Sequence, residues 1–173
     1  MAPMIESDSE FAESFAPIAR DWYPLEVTAC ETTTSQKTAA PMAQLDFVVC
    51  DGPMKSRKIR FHNIMLGGKT EKGDPMPLGR LCEFINSFDL NWICVGCGTG
   101  GRPSEGHSFV KEKLPNGSEG TKLICSSCLK PARFKYNTDE FVGARGNALV
   151  DKEKKRDSED EINVIKRFAP LGA

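Results

Sequence analysis

Two Cys-x-x-Cys pairs constrain this chain more than any other feature: Cys94 and Cys97 in Ile-Cys-Val-Gly-Cys-Gly, and Cys125 and Cys128 in Ile-Cys-Ser-Ser-Cys-Leu. Two residues between cysteines let both sulfurs of a tight turn reach one ion at about 2.3 Å, and two such turns complete a tetrahedron. Four protein ligands leave no position open for water or substrate, so the site is structural and not catalytic. The set predicts one structural zinc ion; iron is the other metal that thiolate-rich sites suit. The 27 residues between Cys97 and Cys125 exceed the usual spacing of about 15 to 20, which predicts an extended loop between the knuckles.

Redox and disulfide readings fit less well. A thioredoxin-like pair opens a helix, whereas Gly96, Gly98, Gly100 and Gly101 oppose helix at the first knuckle. The chain has 7 cysteines, an odd number, and no apolar signal stretch opens it, so the expected compartment is reducing and cytoplasmic. Cys30, Cys50 and Cys82 stand at apolar-patterned positions and read as small buried hydrophobes. His107 could ligate a metal, but four cysteines already suffice.

At 173 residues the chain accommodates one compact domain and a small appendage that a metal would staple. Its net charge of −1 is unevenly spread: residues 1–21 carry Glu6, Asp8, Glu10, Glu13 and Asp21 against Arg20 alone, and residues 151–161 carry six acids against four bases. The excess of bases therefore falls within the expected fold. No stretch approaches the roughly 18 apolar residues of a membrane span.

The pattern divides the chain into an acidic arm (1–21), strands and a helix (22–90), a zinc-ribbon insertion (91–136) and closing strands (137–173). Ser7 and Glu10 have capping-box spacing ahead of Phe11, Phe15 and Ile18, although a mobile arm is the simpler expectation. Tyr23–Glu31 and Gln44–Cys50 read as strands, the second with Leu45, Phe47 and Val49 on one face. Asp51-Gly52-Pro53 signals a turn, with a third strand over Lys58–Leu66. From Pro77, the spacing of Leu78, Leu81, Cys82, Ile85 and Phe88 predicts an amphipathic helix. Phe141 and Val142 open a fourth strand, Lys152–Glu161 is a charged turn, and Ile162–Phe168 is the fifth strand. Three strands, a helix, an insert and two strands is the order of a mainly β fold: a five-stranded OB-fold barrel with one α-helix and a zinc ribbon inserted between helix and fourth strand.

Trp-Tyr-Pro-Leu-Glu-Val (22–27), Leu-Asp-Phe-Val-Val-Cys-Asp-Gly-Pro-Met-Lys-Ser-Arg-Lys-Ile (45–59), Leu-Gly-Arg-Leu (78–81), Glu-Phe-Val-Gly (140–143) and Ile-Asn-Val-Ile-Lys-Arg-Phe-Ala-Pro (162–170) resemble phage-encoded single-stranded DNA-binding proteins. The likeness covers roughly residues 22–90 and 139–170. It implies an OB-fold that protects or hands over single strands in phage replication or recombination, without catalysis. Replication or recombination proteins are then further partners, and an oligomer is compatible with the reading. The cysteine insertion departs from plainer members, as does the end of the chain, Ala-Pro-Leu-Gly-Ala, where other single-strand binders carry an acidic recruiting tail.

Single-strand binding needs cations along the phosphates and flat side chains for the bases. Lys55, Arg57, Lys58 and Arg60 place four charges within six residues. Alternation predicts Arg60 and His62 on the exposed face and Ile59 and Phe61 in the core. Lys37, between the first two strands, is an accessory candidate. Arg133, Phe134, Lys135 and Tyr136 interleave bases with aromatics after the second knuckle, although both rings could equally pack the ribbon against the barrel. Tyr23 is expected to pack, and Trp22 and Trp92 could serve either purpose.

Enzyme patterns fail on particular residues. Gly67-Gly68-Lys69-Thr70 resembles the end of a P-loop, but position 63 is Asn, and Gly73 and Pro75 stand where a helix should follow. A zinc deaminase needs His-x-Glu and Pro-Cys-x-x-Cys, and neither is present. The competing non-enzymatic reading is an adaptor whose ribbon and acidic arm dock a replication, recombination or host factor.

Overall fold

Alternation of apolar side chains builds the main sheet of the computed structural model, which describes residue 4 and residues 16–155 and 158–172. Strand β1 spans Asp21–Thr34, β2 Pro41–Val49 and β3 Lys58–Met65. Along β2, Ala43, Leu45, Phe47 and Val49 are buried while the residues between them are not, because successive strand side chains point to opposite faces. Helix α1 (Gly79–Ser87) follows, starting two residues after the expected Pro77. Five short strands come next: β4 (Trp92–Cys94), β5 (Gly100–Gly101), β6 (Phe109–Lys113), β7 (Glu119–Cys125) and β8 (Phe134–Tyr136). Strands β9 (Arg145–Lys154) and β10 (Glu161–Ala169) complete the chain.

The main sheet is antiparallel with order β10-β9-β1-β2-β3, and the insertion forms two smaller sheets, β5-β4-β8 and β6-β7. Extra residues bulge β1 at Thr28, β3 at Arg60–Phe61 and β10 at Lys166. Bulges add twist and bend their strands. The two edges of the sheet, β3 and β10, accordingly approach through side chains: the rings of His62 and Phe168 lie 5.8 Å apart. No backbone ladder joins β3 to β10 among the described residues, so the observed architecture is a curved five-stranded sheet where a closed barrel was expected.

Helix α1 lies against β10 and β3, the two edge strands of the sheet. Its buried side chains are Leu81, Cys82, Phe84, Ile85 and Ser87. Phe84, outside the expected apolar stripe, is the hub of an aromatic cluster, 4.6 Å from Phe88, 5.2 Å from Phe141 and 5.3 Å from Phe168. Gly146 of β9 makes the close approach possible, since a Cβ there would meet Phe88 at 2.6 Å. The insertion is not packed separately: Trp92, Cys94, Phe109 and Cys125 belong to the same buried cluster as Leu25, Phe47 and Val150.

Two expectations are corrected near the end of the chain. Phe141 and Val142 open no strand, because the Asn137 side chain accepts the Asp139 N–H and nucleates the 3-10 turn Thr138–Glu140. Phe141 then turns inward and Val142 outward, and β9 begins at Arg145. The charged segment 152–161 is a turn only in its middle, since Lys152–Lys154 end β9 and Glu161 opens β10: Lys154 opposes Glu161 across the hairpin and pairs with Glu159 at 3.3 Å. The expected arm helix lies outside the described residues, but Ile18 and Asp21, assigned to the arm, belong to the sheet body, the former buried and the latter opening β1.

Candidate functional site

The two knuckles share one local geometry. Gly98 N–H donates to Cys94 O and Leu129 N–H to Cys125 O, both at 2.8 Å, while Cys94 N–H reaches Thr99 O and Cys125 N–H reaches Lys130 O. Each turn therefore needs left-handed backbone just after its second cysteine. Gly98 adopts it at φ 73 and Leu129 at φ 58. Strand β4 delivers the first knuckle and β7 the second.

The four sulfurs all lie within 4.8 Å of one another. Cys94 Sγ is 3.9 Å from Cys128 Sγ, and Cys97 Sγ is 3.9 Å from Cys125 Sγ. A disulfide needs about 2.05 Å, whereas a tetrahedron with bonds of about 2.3 Å has edges of about 3.8 Å. The spacing thus fits one metal ion held by four thiolates. The Thr99 hydroxyl, 3.3 Å from Cys97 Sγ, draws that exposed thiol down to about 6, while burial pushes Cys94 up to about 11. Ser127 N–H points at Cys125 Sγ from 3.4 Å, a further donor to a thiolate. His107 is not in the sulfur cluster. It stacks on Trp92 at 3.9 Å, and both of its ring nitrogens are buried without a hydrogen-bond partner among the described residues. The other cysteines are free thiols, and burial pushes Cys82 up to about 12.

The basic segment differs from its expected alternation. Leu45 opposes His62 and Phe47 opposes Ile59, so two residues of β3 face the single Asp46 of β2. Asp46 organises this bulge: its carboxylate accepts the Phe61 N–H at 3.0 Å and pairs with Arg60 at 3.6 Å. Beyond the extra residue every side chain changes face. Phe61, expected in the core, is 60% exposed at φ 60, and the Arg60 guanidinium lies 4.7 Å from its ring centroid. His62, expected outside, is turned in between Phe47 and Phe168, with ring centroids 6.1 and 5.8 Å away. Burial, helped by the charge of Arg80, lowers its pKa to about 4.

The bulge opens onto a groove of about 370 Å³ between the sheet edges, lined on one side by residues 58–63 and on the other by Lys155 and residues 161–164. Of the expected nucleic-acid residues, Lys58, Arg60 and His62 line this groove, with His62 in its floor. Lys55 and Arg57 lie in the turn leading into it, and Arg57, Lys58 and Arg60 all have interaction partners. Lys37 is exposed at the opposite end of the sheet, beyond the Thr34–Pro41 pair, roughly 25 Å along β2 from the Lys58 end. Arg133 and Lys135 are exposed, but the rings of Phe134 and Tyr136 serve packing. Phe134 contacts Phe109 at 4.8 Å, and Tyr136 stacks on Phe141 at 5.9 Å and donates its hydroxyl to Leu66 O. Trp22 is 45% exposed and Trp92 fully buried. Sequence reasoning missed Phe61; the signal was Asp46, the single charged residue of β2, opposite a run too long by one residue.

Residues 67–76 form a small hairpin with Thr70 N–H on Asp74 O, and no helix opens at Thr70. No helix among the described residues is long and apolar enough to cross a membrane. The family described as "Protein of unknown function (DUF669)" matches residues 5–113. No curated protein and no solved structure matches the chain.

Proposed function

The chain belongs to the DUF669 family, and from that premise we propose that it is a non-enzymatic single-stranded DNA-binding protein of phage replication or recombination, built on an OB-fold with one structural zinc ion. The observation that carries this reading is the β3 bulge, which places Phe61 and Arg60 side by side on the groove. A bulky residue in left-handed backbone is costly, and such strain is concentrated at functional positions. Phe61 would stack on a base, at about 1 to 3 kcal/mol, while Arg60, Lys58 and Lys155 hold the phosphates. His62 packs inward between Phe47 and Phe168 beneath the groove.

The strand order supports the OB-fold half of the reading: with α1 between the third and fourth strands of the sheet, only a β3–β10 pairing separates it from a closed five-stranded barrel. Four thiolates at tetrahedral spacing favour zinc, and the ion would hold the insertion against the body. The test is titration of a labelled oligonucleotide at two salt concentrations. Wild type should bind with a log–log salt slope of about −0.7 per phosphate neutralised. R57E/K58E/R60E should abolish binding, and Phe61→Ala should weaken it about tenfold. Indifference to salt, or preference for duplex, would overturn the reading.

A second reading is favoured by the insertion's surface, where Ile93, Val95, Val110 and Leu129 are exposed. In that reading the ribbon is an adaptor for a replication, recombination or host protein. A partner that binds the R57E/K58E/R60E variant as tightly as wild type, while the oligonucleotide binds neither, would support it.

A further inference from the structure

Alternation along the β6–β7 hairpin sorts its side chains onto two faces, and Phe109, Lys111, Thr121 and Leu123 fall on the face turned toward α1. Asn86 of α1 fixes that face in place: its side chain donates to Phe109 O at 2.7 Å and accepts the Phe109 N–H at 3.0 Å. Between hairpin, helix and the end of β10 lies a second groove, of about 780 Å³. One amide thus holds both backbone groups of the strand that makes its wall, so the groove is preformed.

Three bases line it from three elements, Arg80 of α1, Lys111 of β6 and Arg167 of β10, against one acid, Glu83. Glu83 sets the two arginines side by side: its carboxylate pairs with Arg80 at 3.2 Å and with Arg167 Nε at 3.1 Å, and it accepts the Phe168 N–H at 2.6 Å. Among the described residues Arg167 uses only Nε, which leaves the donors of its two terminal amino groups, and Lys111 has no ion-pair partner. Guanidinium forks and an ammonium group along one groove suit phosphate. Both grooves open along β10: residues 161–164 line the first, Arg167 and Pro170 the second, and between them Arg80 donates to Lys166 O. From Val164 to Arg167 is about 10 Å of strand.

Resting on the single-strand reading of the first groove, we propose that the second groove takes the continuation of the same strand, its phosphates held by Arg80, Arg167 and Lys111. The hairpin of the cysteine insertion then supplies one wall and one cation of the binding track. With Glu83 offsetting one of the charges, filling the second groove neutralises about two phosphates, so a long strand should show a log–log salt slope steeper by about 1.4 than a short one.

The test compares oligothymidylates of about 6 and about 16 nucleotides on the full chain. The long one should bind more tightly, one protein to a strand, and with the steeper slope. K111Q/R167Q should weaken the long oligonucleotide about tenfold and return its slope to that of the short one, whose affinity should not change; that constancy also shows the variant to be folded. The exposed pair K69Q/K72Q, outside both grooves, should affect neither. A photoreactive thymidine analogue at one or other end of the long strand should crosslink to peptides containing residues 109–111 or 167–170. If the short oligonucleotide binds while the two variants weaken the long one equally, or not at all, the second groove is overturned and the single-strand reading stands. Two proteins on one long strand without those crosslinks would assign the gain to a second copy and overturn it as well. If neither oligonucleotide binds, the single-strand reading falls and takes the second groove with it.

Discussion

The sheet body and the cysteine insertion are held together by different means. The body packs long strands and α1 around Phe47, Phe84, Phe88, Phe141 and Phe168, a mutually supporting set of rings. The insertion has strands of two to seven residues, and Trp92, sandwiched between His107 and Phe109, is its one large fully buried side chain. That is too little apolar surface for a segment of this length to fold unaided. The insertion relies instead on four sulfurs and on the contacts Phe134–Tyr136 and Tyr136–Phe141, which join its rings to the body. A metal ion at these sulfurs would stand in for the core that the insertion lacks.

Removing the metal should produce the largest effect and should fall on one region only. Structural zinc contributes about 10 to 16 kcal/mol in small domains, so C125S/C128S or chelation should abolish metal binding and leave residues 91–136 unprotected in hydrogen exchange. Amides of β1, β2 and β9 should stay protected; their loss would show that the site supports the whole molecule. Phe84→Ala attacks the other side of the contrast. It should cost the body about 3 to 5 kcal/mol in denaturant unfolding, because the ring touches four others and leaves a cavity.

Acid should weaken the body next. His62 is held neutral, with a pKa of about 4 against 6.5 unfolded, so the unfolded chain takes up its proton first as pH falls. The contribution is intact above pH 6.5 and is lost between there and about 4, reaching about 3 kcal/mol. His62→Phe should flatten that part of the stability–pH curve; an unchanged curve would place the acid sensitivity elsewhere. The smallest effect belongs to the insertion. Leu129 is 66% exposed and holds the left-handed position that Gly98 fills in the other knuckle, so Leu129→Gly should stabilise the metal-loaded protein by up to about 1 kcal/mol. A loss on that change would mean that the Leu129 side chain packs on something worth more than its strain.

What could be read ahead of the structure follows from how local the cause is. The cysteine set was legible because a metal needs four donors at fixed spacing, and the strands around Phe47 and Ile165 because burial imposes a period of two. The fates of Phe61 and His62 were not, because one extra residue opposite Asp46 reverses the period, and that count involves β2 as much as β3. Phe84 was passed over because it lies at the edge of the helix stripe and gains its importance from Phe141 and Phe168, both distant in sequence. Phe134 and Tyr136 looked like a nucleic-acid surface because interleaved bases and rings leave open which side meets the body.

Strand β1 pairs on one side with β2, its neighbour in sequence, and on the other with β9, more than 100 residues later. During synthesis the first three strands and both knuckles are polymerised before β9 and β10. The sulfurs can gather their ion from local contacts while one edge of β1 still waits for its partner, and closing so long a loop is slow. An insertion that captures an ion would thus be placed to form early, with the groove between β3 and β10 the last surface to come into being.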